Sequence, residues 1–382
     1  MDSTLFLDIK NHYADIGKKF ENACQEARKK GCLPEGLWER LSDEHFFINS
    51  IQYNNEDGLH FLAAALEGLS YGMRCPGSCS SLIIQAGVVM PMINQFGSDT
   101  LKNKYWDSLI SGKLITAQAG SELHGGSESK LIQTKLIPND KGFILNGTKW
   151  SITNGSIANL MLVTAEIMDT HQPVIVAVDS SWNGVDNTHS LCASGVEDSA
   201  TGQIDFSNVQ VPPEFILGKI GDGYTILHSI FSRERLLVGF VNIGVLERIM
   251  EETIEYTDTR IVFNKKIIEH QYIRKRLTDI KCNYEISKLL AYQAIEKFMN
   301  GQESSLLASI SKFYGANLAT DAIMHIIKIF GSYGVQKDRY DYLLASSIAS
   351  SIGGGTEEVQ REEIIKHMYL NYRREKSIKH QD

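Results

Sequence analysis

Proline and tryptophan are scarce in this chain of 382 residues, with seven and four copies respectively. So few prolines leave helices uninterrupted, and long helical stretches are expected. Basic charge is also short: 38 Lys and Arg stand against 46 Asp and Glu, a formal net charge of −8. No excess is left to neutralise a phosphate backbone, which argues against nucleic acid as the main partner. Cysteine is thin and scattered, at positions 24, 32, 75, 79, 192 and 282. The one close pair, Cys75 and Cys79, has no matching His or Cys pair downstream, so the thiols read as reduced and structural and no metal site is expected. No apolar run reaches the ~18 residues of a membrane-spanning helix. The opening stretch MDSTLFLDIKNHYADIG carries Asp2, Asp8 and Asp15 and lacks the apolar core of a signal peptide. A cytoplasmic protein that does not enter the membrane is expected.

Against these absences stands an ordinary globular balance, 43% hydrophobic and 22% charged, in a length that suggests roughly two to three domains. Leu5, Ile9, Tyr13, Ile16, Phe20, Cys24 and Ala27 recur at steps of three and four, the stripe of an amphipathic helix. Helical patterning continues to about Leu109, broken at Cys75-Pro76-Gly77 and at Phe96-Gly97-Ser98-Asp99, where a Ser/Asp cap opens the next helix. The pattern then changes. ANLMLVTAEI, PVIVAVD and QIDFSNVQV read as strands, and Asn146-Gly147 and Asn154-Gly155 as hairpin-type turns. After Gly221-Asp222-Gly223 helical spacing returns, with Ile249, Thr253 and Tyr256 on one face and Ile273, Leu277, Ile280 and Tyr284 on another. The expected organisation is α+β in three parts: a helical domain over 1–112, a barrel-like β domain over 113–218 and a helical bundle over 219–382.

Two stretches of the β domain are unusually rich in small and hydroxylated residues. AQAGSELHGGSES, Ala117 to Ser129, is a strand end followed by exposed backbone N–H groups and hydroxyls able to cradle a flat heterocycle and a phosphate. NGTKWSITNG follows at Asn146 to Gly155. Near the C-terminus SIGGGTEEVQ, Ser351 to Gln360, sets three glycines before a helix that opens Thr-Glu-Glu. Glycines in a row permit something to approach the backbone closely.

These stretches, with FGSDTLKNKYW before them, ERLL at Glu234 to Leu237, RIVFNKKIIEHQ at Arg260 to Gln271 and FGSYG at Phe330 to Gly334, resemble the acyl-CoA dehydrogenase family in order and spacing along nearly the whole chain. The resemblance implies a helical domain, a β domain and a helical bundle, with FAD held between the last two. By position, Gln118, Gly120 and Ser121 would lie along the isoalloxazine ring and Ser127 would meet the pyrophosphate and the substrate side. Ser151, Thr153, Lys328, Thr356 and Glu358 fall at further cofactor positions. Arg260, Phe263 and Gln271, with Gly331, would reach the FAD of a neighbouring subunit, implying a homodimer or homotetramer.

In much of this family the residue two before the threonine of the glycine-threonine motif is a glutamate that removes the substrate α-proton. Here that position is Gly354, which has no side chain to take a proton. A branch of the family carries the glutamate on an earlier helix just before an arginine, and Glu234-Arg235 stands there. Glu234 is therefore the candidate base, Gly354 the candidate backbone donor to the thioester oxygen, and Arg235 and Ser232 substrate neighbours. A carboxylate is needed because an α-proton beside a thioester is weakly acidic, and donors on the carbonyl oxygen stabilise the enolate that develops.

Several family positions are altered. Ser151 replaces the aromatic residue that shields the flavin, with Trp150 displaced by one; Glu128 replaces an aspartate; Ser332 replaces a glycine; Lys328 replaces a glutamine; Asn264 follows Phe263 where glycine is usual. Ser232 stands where an aspartate often contacts pantetheine, and LLASSIASSI lacks an expected Arg-Asp pair. The main expectation is oxidation of an acyl-CoA thioester. The alternative is a hydroxyacyl or aminoacyl group on an acyl or peptidyl carrier protein, with Arg233, Lys265, Lys266, Arg274, Lys275 and Arg276 as a basic patch to meet it. A non-catalytic thioester-binding scaffold is the reading of another class. Electrons would leave to an electron-transfer flavoprotein or to oxygen.

Overall fold

The computed structural model describes residues 3–53, 56–128 and 131–378. Asp2 and Ser129 lie outside them. The stripe read between Leu5 and Ala27 is the inner face of α1 (Ser3–Lys30), with Ile9, Tyr13, Ile16, Cys24 and Ala27 buried along α4 (Leu59–Met73). Between them come α2 (Leu37–Asp43), α3 (Phe46–Ile51) and the short antiparallel pair β1 (Gln52–Tyr53) and β2 (Glu56–Asp57). Pro76 sits in the first turn of α5 (Pro76–Leu82), where a missing N–H does no harm. A π-helical stretch, Ile83–Val89, leads from it into α6 (Met90–Phe96). The continuous run Pro76–Phe96 is long and apolar enough to cross a membrane, contrary to the expectation from the sequence, but 94% of its apolar window is buried inside the protein. Ser98 caps α7 (Asp99–Ile110), its hydroxyl accepting the Leu101 N–H at 3.1 Å.

The β domain is one seven-stranded sheet built from β3 (Thr116–Ala119), β4 (Lys135–Asn139), β5 (Gly142–Ile152), β6 (Leu160–Ile167), β7 (Pro173–Asp179), β8 (Val185–Ser190) and β9 (Gly202–Val211). Every residue of β6 is buried, Thr164 and Glu166 included, as a largely apolar central strand requires. β7 runs antiparallel along one edge of β6, while β3 and β4 both pair with it in parallel, β3 at its start and β4 at its end. The chain leaves the sheet between β3 and β4. The glycine/serine motif is therefore the loop that opens this edge.

Asn146-Gly147 is not a turn. The two residues lie inside β5 at a bulge opposite β9, and the β4–β5 hairpin closes one turn earlier, where Asn139 faces Gly142. Gly147 has φ +150°, and a Cβ there would lie 2.6 Å from the Thr134 hydroxyl; glycine is demanded by crowding, which a turn dipeptide mimics in sequence. Asn154-Gly155 ends β5 without forming a hairpin. Asn154 takes φ +63° and its buried amide donates to the Thr116 carbonyl at 2.9 Å.

No proline occurs after Pro213, and the C-terminal part is helical: α8 (Gly223–Thr259), α9 (Gln271–Met299), α10 (Ser305–Phe330), α11 (Asp341–Ile352) and α12 (Glu357–Ile378). Ile249 and Thr253 of α8 and Ile280 and Tyr284 of α9 are buried as their spacing predicts, and Tyr256 stacks on Phe330 with centroids 4.2 Å apart. A small hairpin, β10 (Ile261–Val262) with β11 (Lys265–Lys266), joins α8 to α9.

Candidate active site

Glu234 lies on α8, in the turn between Ser232 and Arg235, and its carboxylate points at the glycine loop between α11 and α12. A Cβ added to Gly354 would lie 3.1 Å from Glu234 Oε1 and 3.2 Å from its Cδ. Gly354 (φ +65°) and Gly355 (φ +95°) are both left-handed, which explains why glycines stand in this loop. Among the described residues the Gly354 amide has no hydrogen-bond acceptor. Burial raises the Glu234 carboxyl above its ordinary value, and the Lys312 and Arg235 charges only partly oppose this.

Lys312, on α10, is the cation beneath the loop. It is 1% exposed, and its ammonium donates to the carbonyls of Ser351, at 2.8 Å, and Gly355. Burial lowers it to about 8 despite the attraction of Glu234. Gln360, fully buried on α12, holds the same loop through Nε2, 3.1 Å from Gly355 O, and Thr356 Oγ1 accepts the Val359 N–H at the helix start at 3.4 Å. Glu358 is exposed, its carboxyl held below the usual range by its own backbone N–H and the Thr356 hydroxyl. Arg235 is buried, its guanidinium facing Glu363 and Glu234. Ser232 is half-buried one turn before it.

A second group gathers at the opened edge of the sheet. Gln118, on β3, has its Nε2 buried without a partner, and that atom lies 2.8 Å from where a Gly120 Cβ would be. Trp150 donates its N–H to Ser121 O at 3.0 Å, which brings the two small-residue motifs together. Beneath them Lys149, fully buried, donates to Gly120 O at 3.0 Å and to Glu122 Oε1 at 2.8 Å. Burial would raise Glu122, but Lys149, Thr134 and the Gln133 N–H outweigh it and hold the carboxylate low. Beyond this tether β5 slips register against β9, and Ser151 takes φ +57° with its side chain exposed. Ser121 and Ser127 are exposed, and Thr153 is half-buried. His124 and His228 are exposed.

The third group lies at the end of α8. Arg260 and Phe263 line one cleft with Tyr256, Val262, Ile267, His270, Ile273 and Ile329. Phe263 is 87% exposed, and it forms with Asn264 the two-residue turn of the β10–β11 hairpin, at φ +51° and +60°. A left-handed turn position suits asparagine nearly as well as glycine, which accounts for Asn264. Gln271, Lys328 and Gly331 are exposed around this end. The basic patch loses Arg233, which is buried in an ion pair with Asp57 of β2 at 2.6 Å, and two of its exposed members, Lys266 and Lys275, pair with Asp258 and Asp279. Asp279 stands four residues after Lys275 on α9, whereas Asp57 and Asp258 come from other elements and cannot be read from the basic stretch itself.

Lys312, Lys149 and Asp57 are absent from the site expected from the sequence. Three family models match most of the chain in succession, the acyl-CoA dehydrogenase N-terminal domain over residues 15–113, middle domain over 117–209 and C-terminal domain over 221–369. The chain belongs to the acyl-CoA dehydrogenase family. Within it, the chain is 28% identical over 348 residues to the L-prolyl-[peptidyl-carrier protein] dehydrogenase of Serratia sp. (strain ATCC 39006), covering 88% of this chain and 89% of that one. It is 29% identical over 291 residues to an acyl-CoA dehydrogenase of Bacillus subtilis (strain 168), covering 75% and 77%. The solved FAD complex of PigA superposes with a TM-score of 0.90 at 26% identity, over 97% of this chain and all of that one.

Proposed function

We propose that this acyl-CoA dehydrogenase family member oxidises a thioester with FAD as cofactor, and that Glu234 removes the α-proton. The observation that carries the reading is the carboxylate of Glu234 standing against Gly354. A base supplied from α8 serves the place where many relatives supply it from the loop. Its raised pKa makes it a stronger proton acceptor than a solvated carboxylate, and Gly354 N–H is free to donate to the thioester carbonyl oxygen.

The β-domain loops fit the flavin. Gln118 presents a buried amide without a partner, Gly120 leaves the ring face open, and the Lys149–Glu122 tether fixes the backbone that carries Ser121. Ser127, Ser151, Thr153, Thr356 and Glu358 complete this side, while Arg260, Phe263, Gln271, Lys328 and Gly331 reach the FAD of a second copy. FAD supplies the acceptor for the hydride. The exposure of Phe263, an aromatic ring on a left-handed turn, supports a subunit interface there. An electron-transfer flavoprotein or oxygen reoxidises the flavin.

A second reading, oxidation of a small aminoacyl group on a peptidyl carrier protein, is favoured by the likeness to the Serratia prolyl-[peptidyl-carrier protein] enzyme. The deciding experiment is an anaerobic visible spectrum before and after adding short and medium acyl-CoA esters, then L-prolyl and other aminoacyl carrier-protein thioesters. Bleaching by a CoA ester establishes the first reading and bleaching only by a carrier thioester the second. A protein that binds no FAD, or whose flavin no thioester reduces, is the scaffold.

A further inference from the structure

We infer that Lys312 is a positioning residue for proton removal: by binding the carbonyls of Ser351 and Gly355 it holds the glycine loop against Glu234, and its charge keeps that carboxylate ready to accept a proton. The inference rests on Glu234 being the base. A lysine ammonium is among the most expensive groups to bury, and this one is 1% exposed. It donates to Ser351 O in the last turn of α11, where carbonyls run out of helical partners, and to Gly355, next to the residue that faces Glu234. An apolar side chain would fill the space, so the charge itself needs an account.

Among the described residues, the charged groups acting on the pair come from three elements. Arg235 lies beside Glu234 on α8, Lys312 faces it from α10, and Glu357, Glu358 and Glu363 approach from α12. Arg233, one turn face away, is already neutralised by Asp57 of β2. Arg235 is drawn to Glu363 as well as to Glu234. Lys312 is thus the cation that acts on both partners of the reaction geometry, the carboxylate through its charge and the Gly354 donor through the loop.

The test compares Lys312→Met, Lys312→Gln and Lys312→Arg in the full-length holoenzyme. It follows the rate of flavin reduction against pH with whichever thioester bleaches the flavin. Infrared titration adds a second readout, the protonated-carboxyl band that disappears in Glu234→Gln. Removing the charge is expected to move both the acid limb of the rate and the infrared titration upward by about one pH unit or more, and Lys312→Arg should restore both. Lys312→Gln keeps amide donors without the charge, so it should shift the limb as Met does while losing less of the maximal rate. Loss of rate at every pH with an unmoved acid limb and infrared midpoint would show a purely structural lysine and overturn the inference. Should Glu234→Gln still reduce its flavin, the base assignment falls and the inference with it; an inactive Glu234→Gln beside an unmoved limb sinks the inference alone. If the uncharged variants do not fold, Lys312→Arg decides, since a charge role requires its acid limb to match the parent and a displaced limb would refute it.

Discussion

Glu234 and Gly354 share one space: the carboxylate oxygen of the first lies 3.1 Å from the point where a side chain on the second would begin. On the proposed reading the two positions compete for the same space, and a carboxylate at one crowds a side chain at the other. Replacing Glu234 by Gln keeps shape and volume but removes the proton acceptor. Flavin reduction by substrate should fall about 10²–10⁴-fold with the bound FAD spectrum unchanged. Stopped-flow measurement at saturating substrate checks this, and a reduction rate within a few-fold of the parent would remove Glu234 from the mechanism.

The same exclusion makes a prediction about Gly354. Glutamate introduced there alone meets Glu234 and sits on a left-handed backbone that costs about 1 kcal/mol or more for a side chain. Gly354→Glu should therefore lose activity and thermal stability together. Adding Glu234→Gly removes the collision and returns a carboxylate to the same space, so the double variant should melt higher than Gly354→Glu and recover part of the rate. Additive losses in the double variant would show that the two positions do not share a site.

Much of the architecture was legible because it follows from periodicity. The apolar stripe of α1, the largely apolar run of β6 and the proline-free C-terminal helices each obey one local rule. The errors arose where a residue answers to a partner distant in sequence. Asn146-Gly147 imitates a turn because Gly147 must clear Thr134, and Arg233 imitates a surface charge because its partner Asp57 lies 176 residues away. Lys312 was overlooked although a signal existed. It falls on the stripe Ala308, Lys312, Gly315, Ala316, Ala319 and Ile323, all buried on α10, and a lysine on an apolar stripe calls for a buried acceptor.

Stability should carry the mark of the raised Glu234. A carboxyl whose folded pKa exceeds its unfolded value binds more protons when folded, so stability is greatest below the ordinary value of 4.5 and is lost as pH rises through the raised one. At neutral pH the folded protein bears this penalty, about 1.4 kcal/mol for each unit of elevation. Glu234→Gln should melt higher than the parent at pH 7, with the gap closing towards pH 4.5. Lys312 keeps its two carbonyl partners and Arg235 keeps Glu363 in that variant, which limits what the two cations lose with the Glu234 charge. A lower melting temperature at pH 7 would mean that Glu234 is held by compensating interactions and is not destabilised by burial.

The tether under the glycine/serine loop gives the last prediction. Lys149 is fully buried and bonds Gly120 O and Glu122 Oε1, while Glu122 also accepts from the N–H groups of Gln133 and Thr134 and from the Thr134 hydroxyl. Removing one member of such a pair leaves the other charged in a dry site and costs about 3–5 kcal/mol. Lys149→Met should therefore lower the melting temperature sharply, and it should release FAD more readily, because the freed Gly120 carbonyl belongs to the backbone beside Ser121. The double variant Lys149→Met with Glu122→Gln removes the stranded charge and should regain stability. It should not regain FAD affinity to the same degree, since Gly120 O is still untethered. Parallel recovery of both, read by calorimetry and by FAD titration of the apoprotein, would show that the pair serves the fold alone.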